Sequence, residues 1–157
     1  MWKDYIGINF DTSKITLYLP QKEYEAVSVK ISTGDIYMGD LYASDINVSV
    51  STGDVDITDA ECKNLVSEGS TGEVYMEDVI AKEKISVRRS TGDIKFSSCD
   101  ADEIFMKTGT GDVTGSLKSD KVFITKVNTG DVDVPDTTAG GRCEIATSTG
   151  DIKITIE

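Results

Sequence analysis

An all-β fold, a single-stranded parallel β-helix (β-solenoid) of about eight coils of 19–21 residues, is predicted by three observations in this 157-residue sequence. A turn motif recurs at near-constant spacing. Apolar residues fall into columns when its copies are aligned. No stretch carries a helical period.

The motif is Ser32-Thr33-Gly34-Asp35, repeated as Ser51-Thr52-Gly53-Asp54, Ser90-Thr91-Gly92-Asp93 and Ser148-Thr149-Gly150-Asp151. Variants fill the gaps: Ser70-Thr71-Gly72-Glu73, Gly109-Thr110-Gly111-Asp112 and Asn128-Thr129-Gly130-Asp131. Successive glycines are 19, 19, 20, 19, 19 and 20 residues apart. Glycine supplies the positive φ of a sharp corner. Ser, Thr and Asp side chains satisfy backbone groups left over at such a corner.

Two residues after each glycine stand Ile36, Val55, Val74, Ile94, Val113, Val132 and Ile152. Seven before it stand Val27, Ile46, Leu65, Ile85, Ile104, Phe123 and Cys143. Apolar and polar residues alternate on both sides of the glycine, which predicts two short strands per repeat with one face inward. Like residues at like positions favour parallel stacking in register over a meander of hairpins. Eight coils at about 4.8 Å each give a rod of roughly 35–40 Å. The chain reads as one domain. Residues 1–26 form a degenerate first coil and N-terminal cap, in which Ser13 replaces the glycine and Trp2, Tyr5 and Phe10 close the end. Residues 27–157 carry the repeats.

Composition narrows the function. The chain has 28 acidic and 16 basic residues, a net charge of −12 and no histidine. An acidic chain is a poor partner for nucleic acid or anionic lipid. Without histidine the commonest general base and most zinc sites are missing. No enzyme activity and no cofactor are expected. Cys62, Cys99 and Cys143 are odd in number and far apart, so free thiols are expected. A membrane link is expected only through an anchor outside this chain, which then represents a fragment of a longer protein.

The candidate sites are columns. Asp35, Asp54, Glu73, Asp93, Asp112, Asp131 and Asp151 form an acidic edge beside an unbroken threonine ladder. Turn chemistry explains both. The sharper readings are a divalent-cation ladder for the acids and an ice-binding array for the threonines. Lys30, Arg88, Lys107 and Lys126 share another column, read as a solvated face or a contact for an anionic polymer. By parity Ser67, Thr125 and Arg89 point inward, with Arg89 snorkelling over a coil thinned by Gly69 and Thr108. At the C-terminus Ile152, Ile154 and Ile156 have no cap, which predicts an open last coil and end-to-end pairing of copies.

The repeated S-T-G-D-[IV] turn, preceded by Leu17-Tyr18-Leu19-Pro20-Gln21-Lys22-Glu23-Tyr24, resembles a bacterial adhesin-type family of β-strand-repeat proteins of the DUF4097 type, related to LiaG-like proteins. The resemblance spans residues from about 5 to 157. It implies a β-helix, often with a membrane anchor outside the domain, and carries over no catalytic residue. The expected function is a non-enzymatic cell-surface or extracytoplasmic binding or scaffolding domain with a protein or polysaccharide partner. The alternatives are a cytoplasmic self-assembling scaffold like the bactofilins and a β-helix enzyme that processes polysaccharides.

Overall fold

The computed structural model describes residues 4–10, 14–16 and 23–157, with side chains from Tyr24 onward. Of the expected N-terminal cap, Trp2 and the side chains of Tyr5 and Phe10 lie outside that description, as does the turn at Ser13.

Among the described residues there are thirteen strands and no helix. β1 (Asp4–Phe10) and β2 (Lys14–Thr16) form the first coil. β3 (Glu23–Thr33) leads into β4 (Asp35–Thr52), β5 (Val55–Thr71) and β6 (Val74–Thr91). These last three each run most of the way from one glycine corner to the next. Then follow β7 (Ile94–Cys99), β8 (Glu103–Thr110), β9 (Val113–Leu117), β10 (Lys121–Thr129), β11 (Val132–Asp133), β12 (Gly141–Thr149) and β13 (Ile152–Ile156).

Every strand pair is parallel, and the turn motifs lie in register: Thr33 pairs with Thr52, Thr52 with Thr71, and Thr71 with Thr91. The chain is therefore a parallel β-solenoid, as the repeat requires. The degenerate first coil joins it as predicted, with Ile6 opposite Val27 and Ile15 opposite Ile36.

The corner glycines answer two demands at once. Gly53 has φ of 143°, and a Cβ there would lie 1.9 Å from the carbonyl oxygen of Gly34 in the coil below. Backbone bonds cross the corner as well: Gly53 N–H donates to Thr71 O at 2.9 Å.

Each full coil has three inward stretches rather than the expected two. Val48 and Val50 precede the glycine of their coil, Val55 and Ile57 follow it, and Ala60 and Cys62 form the third; all are buried. The alternation slips at a second corner, where Asp40, Asp59, Asp78 and Ser98 take positive φ of 50–54°. Asp tolerates this left-handed region better than most residues. The 20-residue spacing between Gly72 and Gly92 is absorbed as a bulge: Cys62 pairs with Ala81 but Asn64 pairs with Lys84.

The order of coils departs from the order of the sequence at one end. Up to Gly111 each coil stacks on its predecessor. The next coil in space carries Gly150, not Gly130. β12 pairs with β8 on one side and with β10 on the other, and β13 lies between β9 and β11. The last 17 residues are thus intercalated, and β10–β11 form the outermost coil.

This overturns the expected open C-terminus. Ile152 and Ile154 are 1% and 2% exposed, whereas Val132 of the outer coil is 43% exposed. The physical reason is that the two coils differ in what they lose at an edge. The Gly150 coil carries Cys143, Ile145, Ile152 and Ile154, all buried. The Gly130 coil breaks at Pro135, which cannot donate to a ladder, and carries Asp131, Asp133 and Asp136, which suit solvent. Gly140 and Gly141 let the chain slip back: a Cβ on them would lie 1.8 Å from Asp120 O and 2.0 Å from Asp102 O respectively.

The inserted segment is pinned from both ends. Lys121, 2% exposed, donates from Nζ to Asp100 Oδ1 at 2.6 Å and to Ser119 Oγ, and Thr137 Oγ1 donates to Lys121 O. Glu157 reaches back to accept from Ser98 Oγ at 2.8 Å and Ser116 Oγ at 2.8 Å.

Candidate functional site

The acidic edge is built by the corner itself. Asp54 N–H donates to Asp35 Oδ1 at 2.9 Å, and Glu73 N–H to Asp54 Oδ1 at 2.8 Å. Asp112 donates likewise to Asp93, Asp151 to Asp112 and Asp131 to Asp151. Each of these carboxylates satisfies a backbone donor of the next coil, as turn chemistry requires. The order of acceptors repeats the transposed coil order.

The chain of bonds is interrupted at Glu73. Its longer side chain turns to Lys95, with Nζ 2.9 Å from Oε1. That hydrogen bond and the Glu73 charge hold the Lys95 ammonium above its usual range. Among the described residues no group of three or more acids or cysteines converges as a metal site. The structure thus places all seven predicted acids in one line but does not draw them into a cluster.

Two residues beyond the acids, the outward column reads Tyr37, Asp56, Tyr75 and Lys95 on successive coils. Here lies a cavity of about 270 Å³ with Tyr37 and Tyr75 on either side, Asp54 and Asp56 on the coil between them and Glu73 on the coil of Tyr75. Ile36 and Val55, both core residues, form its floor. The tyrosines stand two coils apart, about 10 Å. Tyr75 Oη donates to Glu77 Oε2 at 3.4 Å, and burial together with Glu77 raises its pKa. Asp56 is also raised, first by burial and then by the Glu77 charge. Carboxylates crowd on this face, and Lys95 stands at one edge of it.

Sequence reasoning did not single out Tyr37, Asp56 or Tyr75. The available signal was the third position after each glycine, where aromatic residues replace polar ones on two alternate coils. The second corner was also missed, although Asp40, Asp59 and Asp78 keep the repeat's own spacing.

The remaining expected residues are placed as follows. Cys62, Cys99 and Cys143 are free and buried, and burial pushes their thiols up to about 12, 11 and 12. They are protonated and unreactive at neutral pH. Ser67 faces the core as predicted, fully buried, while Thr125 sits half-buried on the outer coil. Arg89 does not snorkel: it is 4% exposed and turns inward. Arg88 lies over the Phe105 ring at 5.0 Å, which occupies one member of the basic column in a cation–π contact.

The Toastrack DUF4097 family model matches residues 2–157. No curated protein matches the chain. No solved structure matches it.

Proposed function

The chain belongs to the Toastrack DUF4097 family, and from that premise we propose that it is a non-enzymatic binding and scaffolding module whose ligand face is the tyrosine-flanked acidic cavity. The observation that carries the reading is the cavity's composition: two phenol rings, three carboxylates and an apolar floor. Ring faces and carboxylates together attract cationic groups. A net charge of −12 adds a long-range pull on basic partners, strongest at low salt. The partner favoured is a protein segment bearing Lys or Arg. A polysaccharide partner uses the same rings for stacking and the same acids as hydroxyl acceptors.

The test is a titration of the full chain, followed by amide chemical shifts, with an oligolysine peptide and in parallel with neutral oligosaccharides. Shifts centred on Tyr37, Asp56 and Tyr75, weakened by salt and lost in Tyr37→Ala/Tyr75→Ala, support a basic partner. Shifts with the sugars alone move the partner to polysaccharide. No shift with either ends the reading.

A surface or membrane-anchored location, and an adhesive role, rest on the family resemblance. Protease access to the protein on intact cells tests them. The bactofilin-like cytoplasmic scaffold predicts protection there and filaments by negative stain. End-to-end pairing of copies moves from β13 to the exposed edge of β10–β11.

A polysaccharide-processing enzyme is the second reading, favoured by Asp56. A carboxyl raised by burial and by the Glu77 charge is the kind of group that glycoside hydrolysis uses as its acid. Glycosidase and lyase assays comparing the wild type with Asp56→Asn decide it.

A further inference from the structure

Among the described residues two cations are buried, Lys121 and Arg89, and they are treated differently. Lys121 has its counter-charge in Asp100, at 2.6 Å. Arg89 has none within the core: the buried polar side chains among the described residues are Ser67, Arg89, Thr108, Lys121 and Thr147, with no acid among them. The opposite charge that acts on Arg89 is that of Asp54, an exposed corner residue that makes no hydrogen bond to it. A guanidinium stays protonated even when buried. A buried, unpaired charge is costly.

The position of the guanidinium is well defined. Arg89 pairs with Gly69, and a Cβ on Gly69 would lie 1.4 Å from Nη1 and 2.6 Å from Cζ. The head group therefore fills the space that Gly69 leaves, inside the Gly72 coil. Nη1 donates to Val50 O at 3.3 Å, across that coil. Nε and Nη2 have no protein partner. These two nitrogens form one edge of the guanidinium, the edge that grips an anion with two parallel N–H donors. Ser67 lies two residues before Gly69 on the same inner face of β5. It is fully buried, and its Oγ also lacks a protein partner. Thr108, on the other side of Arg89, is already committed, donating to Gly92 O at 2.8 Å.

We infer that Arg89 Nε and Nη2, together with Ser67 Oγ, bind a small inorganic anion of chloride type inside the solenoid. The three unpartnered atoms are all able to donate, and the lone charge among them is positive. The anion neutralises the coil that Gly69 thins, directly behind the acidic corner. It is independent of any ligand on the outer face.

Crystals of the full chain grown in sodium bromide test this by anomalous diffraction. A bromide peak within hydrogen-bond distance of Nε, Nη2 and Ser67 Oγ is expected. A water at that position, or no peak, overturns the inference. In solution the protein is unfolded and refolded in chloride or in gluconate, which is too bulky to enter, at equal ionic strength. The wild type melts several degrees lower in gluconate, and Ser67→Ala shrinks the difference. Arg89→Met, where it folds, abolishes it and removes general salt effects from the comparison. Equal wild-type melting in both salts overturns the inference.

Discussion

The coils from Gly34 to Gly92 and the two coils at the other end obey the same pairing rules but a different order. In the body, sequence neighbours are spatial neighbours, and each glycine corner rests on the one before it. At the end, the Gly150 coil separates Gly111 from Gly130. In-register repeats make coils interchangeable as far as hydrogen bonds are concerned, because every coil offers the same ladder. What distinguishes them is their inner faces and their tolerance of an open edge. The isoleucine-rich coil goes inside, and the coil with Pro135 and three aspartates goes outside. Burying a Val, Leu or Ile side chain is worth about 1.5–3 kcal/mol, so a handful of inner residues suffices to choose between the two orders.

The all-or-none test of this contrast is cross-linking. Thr110 pairs with Thr149, while Thr129 stands one coil further out. Neighbouring parallel strands place Cα atoms about 5 Å apart, within disulfide reach, and two coils put them near 10 Å, beyond it. Mild oxidation is expected to join the two positions in T110C/T149C and to leave T110C/T129C reduced. The native thiols are buried and protonated and do not compete. Cross-linking of the second pair instead would restore the sequential order and remove the contrast.

The corner glycines give the next largest effect. Gly53 and Gly130 have nearly equal φ, 143° and 142°, and equal clearance, 1.9 Å from a neighbouring glycine carbonyl. Gly53 is held between coils on both sides, so Gly53→Ala must both strain the backbone and push a coil away. These add to about 3 kcal/mol or more. Gly130→Ala displaces only the outermost coil and is expected to cost less than half as much by chemical denaturation. Equal losses would mean that the end is packed as firmly as the body.

Much of the body was legible because each coil repeats the same compromise. The Thr-Gly-Asp corner, the β-branched column from Ile36 to Ile152 and the inward parity of Ser67 all follow from spacing. The transposition did not. Spacing records how long a coil is, not which coil it lies on, and Gly130 and Gly150 have the same local motif. Pro135 and the Gly140-Gly141 pair were the visible clues, since the first suits an edge and the second a tight re-entry. Arg89 was assigned inward correctly by parity, but parity does not say whether a long side chain folds in or leans out. That depended on Gly69, whose missing side chain makes the room. The candidate ligand face was hidden for another reason: Tyr37, Asp56 and Tyr75 differ chemically, and a column search rewards sameness.

The smallest expected effect is a pH dependence of opposite sign in the two regions. At the transposed end, hydrogen bonds from Ser98 and Ser116 hold Glu157 below its ordinary 4.5. Burial opposes ionisation of Asp100, but bonds from Lys121 and Ser119 outweigh it and keep Asp100 below 3.8. Both carboxylates ionise more readily in the fold than in the unfolded chain. Their contribution is complete above the unfolded pKa values and is lost as the pH falls through the lower folded ones. On the body's cavity face Asp56 is shifted upward from 3.8, so its ionised form opposes folding, and acidification relieves it. Thermal melting of the wild type, Glu157→Gln and Asp56→Asn between pH 6 and pH 3 separates the two. Glu157→Gln is expected to melt below the wild type at pH 6 and to converge with it toward pH 3. Asp56→Asn is expected to melt above the wild type at pH 6 and to lose that advantage on the way down. Parallel curves for all three proteins would mean that neither carboxylate senses its surroundings, and that the Glu157 bonds add nothing to the hold on the transposed end.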